Sequence, residues 1–281
     1  MLAGARHIFA SMAATLRRNA IVSSRYPLSV LSHVFFGGVA VALLLYSLAA
    51  FWPGGVDGIL NTQLGRVRGA TVIWSFIFFQ LTGDTPRVVV LSMRDEQIEG
   101  TLEALCFSPS ALVVHLTAHM LYAAARATIT VSLAVVLACT AFGVPPIPHP
   151  LLLVLALACA VASAMGLALL LVGLALVLHE TAVGLAQLSQ IVLLTLCSPM
   201  VPFSMLPSSL TAFARLTPFS YCIDLYRYAL FGSAGAFPEL GSVRHDLIAA
   251  SVCCGATVIL GCVSFGWAER RTRWRGTLGH Y

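Results

Sequence analysis

The chain has 281 residues, 59% of them hydrophobic and 10% charged, whereas a soluble domain carries about 25% charged and 45–50% apolar residues. With a mean hydropathy of +0.91 and a formal net charge of +5, the composition excludes a soluble globule, a disordered chain and a collagen-like chain. All 16 basic residues are Arg, so there is no Lys for a phosphate-binding P-loop or for Schiff-base chemistry.

A bilayer-spanning helix needs about 20 mostly apolar residues. Six segments meet that requirement: 28–52, 69–91, 111–142, 151–178, 182–200 and 246–267. Ahead of them, residues 1–27 place Ile8, Met12, Leu16 and Ile21 near one helical face, with Arg6, Arg17 and Arg18 elsewhere. That pattern predicts an amphipathic helix lying in the inner interface, broken from the first span by Pro27. The alternative is a frayed basic tail. Pro53-Gly54-Gly55 closes the first span, and Gly83-Asp84-Thr85-Pro86-Arg87 interrupts the second. Pro145-Pro146-Ile147-Pro148-His149-Pro150 separates the third from the fourth, and His179-Glu180-Thr181 is a short turn before the fifth. A proline-punctuated stretch, 201–241, precedes the sixth.

With the N-terminus inside, ten Arg fall on the inner side and five on the outer. The asymmetry predicts a multi-pass protein of a plasma membrane with both termini cytoplasmic. Basic tails beside apolar spans read as anchors at anionic headgroups, and no folded basic module remains to bind nucleic acid. The eight Cys show no C-x-x-C, so neither a zinc site nor a disulfide framework is predicted. No signal-peptide pattern precedes the apolar run that starts near Leu28.

Segment 92–110 is the most acidic part of the chain. Ile98, Leu102 and Leu105 are spaced to share one helical face, with Glu96, Glu99 and Glu103 on the other. A short helix of this kind either caps a loop or plugs into a groove of a soluble partner.

Three pieces of sequence in this order resemble the ABC-2 family of transporter permeases, a resemblance that covers essentially the whole chain. The first is Arg94-Asp95-Glu96-Gln97-Ile98-Glu99-Gly100-Thr101-Leu102-Glu103-Ala104-Leu105, followed by Ser108-Pro109. The second is Pro202-Phe203-Ser204-Met205-Leu206-Pro207. The third is Thr217-Pro218-Phe219-Ser220-Tyr221, followed by Asp224 and Arg227. The polar second span departs from the family pattern. The resemblance implies an all-α integral membrane protein of the type V exporter kind. It would have six transmembrane helices, an N-terminal interfacial helix, a cytoplasmic coupling helix over Glu96, Ile98, Glu99, Gly100, Thr101, Leu102, Glu103 and Leu105, and extracellular re-entrant helices within 201–241. It also implies a permease subunit, not an enzyme, that pairs with a second permease copy and two separate ATPase subunits. Those partners would bind the ATP and Mg, and this chain would hold no cofactor.

Ionisable groups inside spans are costly and functional by default. His115, His119, Tyr122 and Arg126 fall on one face of the third span. They either line a path for the substrate or brace neighbouring helices, with Arg126 reaching Asp84 or Glu180. Asp84 and Arg87 are spaced to pair, and Pro86 is placed to kink the helix. Asp224 and Arg227, with Pro202, Pro207, Pro218 and Tyr221, are expected to hold the outer segment together. No motif for hydrolysis is present. The leading expectation is bacterial export of an amphipathic drug-like molecule or lipid. Export of a lipid-linked glycan and proton-coupled secondary transport are the alternatives.

Overall fold

The computed structural model describes residues 2–50, 54–100, 112–178, 181–235 and 237–275, and among them the chain is helical with no strand. In chain order the helices are α1 (Leu2–Arg25), α2 (Pro27–Ala50), α3 (Gly55–Asn61), α4 (Gln63–Thr82) and α5 (Thr85–Ile98). There follow α6 (Leu112–Thr130), α7 (Ser132–Phe142), α8 (Pro150–Leu178), α9 (Thr181–Cys197), α10 (Ser208–Ala214), α11 (Pro218–Phe231) and α12 (Val243–Arg275). Short 3-10 turns at Phe203–Met205 and Gly232–Gly235 flank α10 and α11.

α8 is the central post. It packs against α12, α11, α5 and α9. Its residues are almost all apolar, so polarity cannot choose which side faces inward; in its first half side-chain size does, while further along Leu169, Val172 and Leu176 are buried as well. Ala156, Ala160, Ser163, Ala164 and Ala168 are buried, while Leu151, Val154, Val161, Leu174 and Leu178 are exposed. Small residues let backbones approach closely, and the large aliphatic side chains are left to face lipid tails. The approach to α12 is tight. A Cβ on Gly166 would stand 2.7 Å from the Thr257 and Val258 backbone, and one on Gly261 would run into the Gly166 carbonyl.

Two apolar clusters stack along this post. Val89, Val90 and Met93 of α5 meet Leu116 and Met120 of α6, Leu169 and Val172 of α8, and Phe265 of α12. At the other end, Phe78 of α4, Ala156 and Ala160 of α8, and Ile223, Leu225 and Leu230 of α11 pack with Phe203 and Ala250. A side cluster joins Val41 of α2 to Ile73 and Ile77 of α4 and to Ala134 and Ala138 of α7.

At three places the described helices depart from the expectation or show only part of it. The second span is not one kinked helix over 69–91. It begins at Gln63, where the Thr62 hydroxyl accepts the Gly65 N–H at 3.1 Å, and it stops at Thr82. Pro86 then sits in the first turn of a new helix, where its missing N–H costs nothing. The separate acidic helix is also revised: α5 runs on through Glu96 to Ile98, and Gly100 at φ +70° ends it. A residue without a Cβ adopts that left-handed turn freely; Leu102 and Leu105, the other members of the expected apolar face, lie outside the described residues. Finally, three helices among the described residues have the length and composition to cross a bilayer: Leu112–Phe142, Pro150–Leu178 and Val243–Thr272. A fourth is added if the bent pair α2–α3 counts as one, and Val183–Cys197 is a shorter apolar helix. α4 has the length but carries Arg66, Arg68 and Gln80, and α5 is short with a polar second half.

Candidate functional site

Three polar clusters interrupt the apolar packing, each at a helix end or break. The first ties α1 to α5 and α6. Thr15 and Asn19 lie one turn apart on α1, as His115 and His119 do on α6. Thr15 Oγ1 contacts His115 Nδ1 at 3.0 Å, and Asn19 Nδ2 contacts His119 Nδ1 at 3.3 Å. Both pairs are offset by 100 residues, so the two helices run parallel and in register. Thr15 also donates to the Ser11 carbonyl at 3.1 Å; its single proton is then engaged, and the His115 ring donates to it. Arg18, one residue before Asn19, reaches across to α5 and pairs with Glu96 at 2.6 Å, with Glu99 at 3.9 Å. Glu96 is only 5% exposed, whereas Ile98 is 64% exposed. Within the acidic segment, then, Glu96 points into the protein while Asp95, Ile98 and Glu99 point out. The reason is the guanidinium waiting on α1, which makes burial of Glu96 tolerable. Thr101, Leu102, Glu103 and Leu105 lie outside the described residues.

The second cluster sits at the α4–α5 break. Asp84 Oδ1 accepts from Arg87 Nε at 2.8 Å, the spacing-based pair, and from Gln190 Nε2 of α9 at 3.0 Å. Arg126 of α6 and Gln80 of α4 line a cavity of about 40 Å³ beside the same carboxylate, room enough for water. Tyr122 is half-buried on the same helix, one turn before Arg126. Among the described residues His115 and His119 contact α1, and Arg126 lines the cavity at the α4–α5 break. Glu180, the other suggested partner of Arg126, lies outside the described residues.

The third cluster organises 201–241. Pro218 starts α11 in its first turn, Pro207 precedes α10, and Pro202 precedes the 3-10 turn. The Tyr221 hydroxyl donates to the Arg215 carbonyl at 3.0 Å, closing the α10–α11 corner. Asp224 and Arg227 do hold this region together, but not by pairing with each other. Asp224 Oδ2 accepts the Glu239 and Leu240 amides, both at 2.8 Å. Arg227 Nε donates to Ser75 Oγ of α4 at 2.8 Å, and its Nη2 donates to the Ser198 carbonyl at 2.7 Å. Arg227 therefore pins α11 to α4 and to the end of α9.

Sequence reasoning missed Thr15, Arg18, Asn19, Gln190, Ser75 and Ser198 as partners. The matching i, i+4 spacing of Thr15/Asn19 and His115/His119 was a usable signal for the first pairing; nothing local marks Ser75 or Ser198.

These features define a multi-pass helical membrane protein whose polar clusters, among the described residues, join helices. The chain belongs to the ABC-2 type transporter family, whose model matches residues 10–231. It is a membrane component of such a transporter, a permease subunit of the kind that normally pairs with an ABC ATPase subunit. None of the curated proteins matches it.

Proposed function

We propose that the chain is the permease of an exporter in a bacterial plasma membrane, both termini cytoplasmic. It forms a path for an amphipathic drug-like molecule or lipid with a second permease copy, identical or a sister. Two ATPase subunits supply the ATP chemistry. The observation that supports this most is α5. It is one rigid rod, about 20 Å long by helix rise, from the polar break at Asp84 to the acidic segment at Glu96 and Glu99. ATP-driven closure of the partner pulls residues 96–105. α5 carries that displacement to the break, and α1 follows because Arg18 is latched to Glu96. The bundle then rocks between two packed states whose balance the partner sets.

Deleting Gly100 to Leu105 is expected to abolish capture and stimulation of the ATPase while membrane insertion persists. Co-purification and ATP turnover measure this. An ATPase that is still captured and stimulated by the deleted form rules the coupling assignment out.

A further inference from the structure

We infer that the cavity beside Arg227 is a binding site for an amphipathic molecule with an apolar chain and a compact anionic head, a carboxylate or a phosphate. The inference deepens the export reading and rests on it only for the direction in which the ligand moves. The cavity holds about 580 Å³, within the range of small-molecule sites. Its walls come from α2, α4 and the 200–205 and 237–239 stretches. Most of that lining is aliphatic or aromatic, and Met200 and Met205 add side chains that adapt to varied apolar shapes.

The charge on the wall gives the head its sign. Arg68, Arg227 and Glu239 line the cavity, and the donor there that lacks an acceptor belongs to the Arg227 guanidinium. Glu239 Oε2 is engaged by the Ser204 amide at 3.0 Å. Arg227 is 2% exposed, and Phe203 and Phe237 flank its guanidinium at 5.5 and 5.8 Å. Two of its nitrogens are taken by Ser75 and Ser198, both neutral acceptors. Its third, Nη1, is buried without a hydrogen-bond partner, and Arg227 makes no ion pair among the described residues. Asp224, one turn earlier on α11, has its Oδ2 committed to two backbone amides and its Oδ1 buried without a hydrogen-bond partner, and neither oxygen pairs with Arg227. A guanidinium held rigidly, screened by aromatic rings and short of one acceptor is pre-organised for an anion. The apolar walls then take the chain attached to it.

The test uses the purified full-length chain in phosphatidylcholine nanodiscs with tritiated laurate. Saturable binding is expected, displaced equally well by dodecyl phosphate and at least tenfold less well by dodecanol or dodecyltrimethylammonium. Arg227→Gln is expected to weaken laurate at least tenfold and leave dodecanol unchanged. Met205→Trp, at an exposed position on the cavity wall, is expected to weaken both. Dodecanol matching laurate in the unaltered protein, or Met205→Trp leaving laurate binding intact, overturns the site. If Arg227→Gln does not fold, those two comparisons decide. Repeating the assay with phosphatidylglycerol in the nanodisc separates the sources: lost laurate binding makes a bilayer lipid the occupant, and retained binding makes it a free ligand. Laurate binding without ATP-dependent export by the complex leaves the site and overturns export. Export that Met205→Trp does not touch, with no laurate binding, does the reverse.

Discussion

At the scale of the residue, the decisive groups are charges that the fold has removed from water. Asp224 is fully buried, and its value lies in the two amides it accepts from Glu239 and Leu240. Asp224→Ala leaves both donors without an acceptor and is expected to cost about 2–4 kcal/mol; Asp224→Asn, which keeps a carbonyl oxygen there, is expected to cost much less. Thermal unfolding of the two variants in detergent checks the difference. Arg18 and Glu96 form a pair with one exposed and one buried end. Its worth therefore falls between that of surface pairs, below about 1 kcal/mol, and that of broken buried pairs, about 3–5 kcal/mol. Arg18→Ala is expected to cost about 1–2 kcal/mol and to free α1 for proteolysis. In a double-mutant cycle, Glu96→Gln on top of Arg18→Ala is expected to regain part of the loss, because it neutralises the buried carboxylate that has lost the Arg18 guanidinium.

At the scale of the element, α8 and α12 show how two helices with no polar face find their register. Their contact is set by where side chains are missing. A Cβ on Gly261 meets the Gly166 carbonyl, which is backbone and cannot swing away, whereas Gly255 and Gly266 on the same helix have open space around them. Gly261→Ala is expected to destabilise by about 1–3 kcal/mol, the range for overpacking. Gly255→Ala and Gly266→Ala are expected to be neutral or slightly stabilising, since Ala is the better helix former. Melting temperatures of the three single variants separate these outcomes, and equal losses at all three positions contradict the close-approach account. The same logic explains why α8 was legible as a span but its inward side was not: hydropathy is uniform along it, and the inward side is set by where the neighbouring helices pack.

At the scale of the whole molecule, the Asp84 cluster is where α4, α5, α6 and α9 converge. Arg87 and Gln190 both donate to its carboxylate, and Arg126 lines the neighbouring cavity. Asp84→Ala releases the joint between the α5 rod and the rest of the bundle. It is expected to leave ATPase capture intact and to lower cargo-stimulated ATP turnover by about tenfold, equivalent to about 1.4 kcal/mol. Co-purification together with turnover measures this. Loss of capture instead places Asp84 in assembly rather than in transmission.

The amino-acid sequence by itself determined that this chain lives in a membrane and which family it belongs to. Apolar run length, proline positions and three short motifs are local properties, and they survive without knowledge of neighbours. It also placed the spacing pair Asp84–Arg87, because i, i+3 residues meet on any helix. Only the tertiary structure decided that Glu96 turns inward and Ile98 outward, that the histidines hold α1, and that Asp224 and Arg227 bind separate partners. Each depends on a residue far along the chain: Arg18 for Glu96, Thr15 for His115, Ser75 for Arg227. A buried charge takes the orientation that its partner makes affordable, and that partner is chosen by packing, which no local pattern encodes.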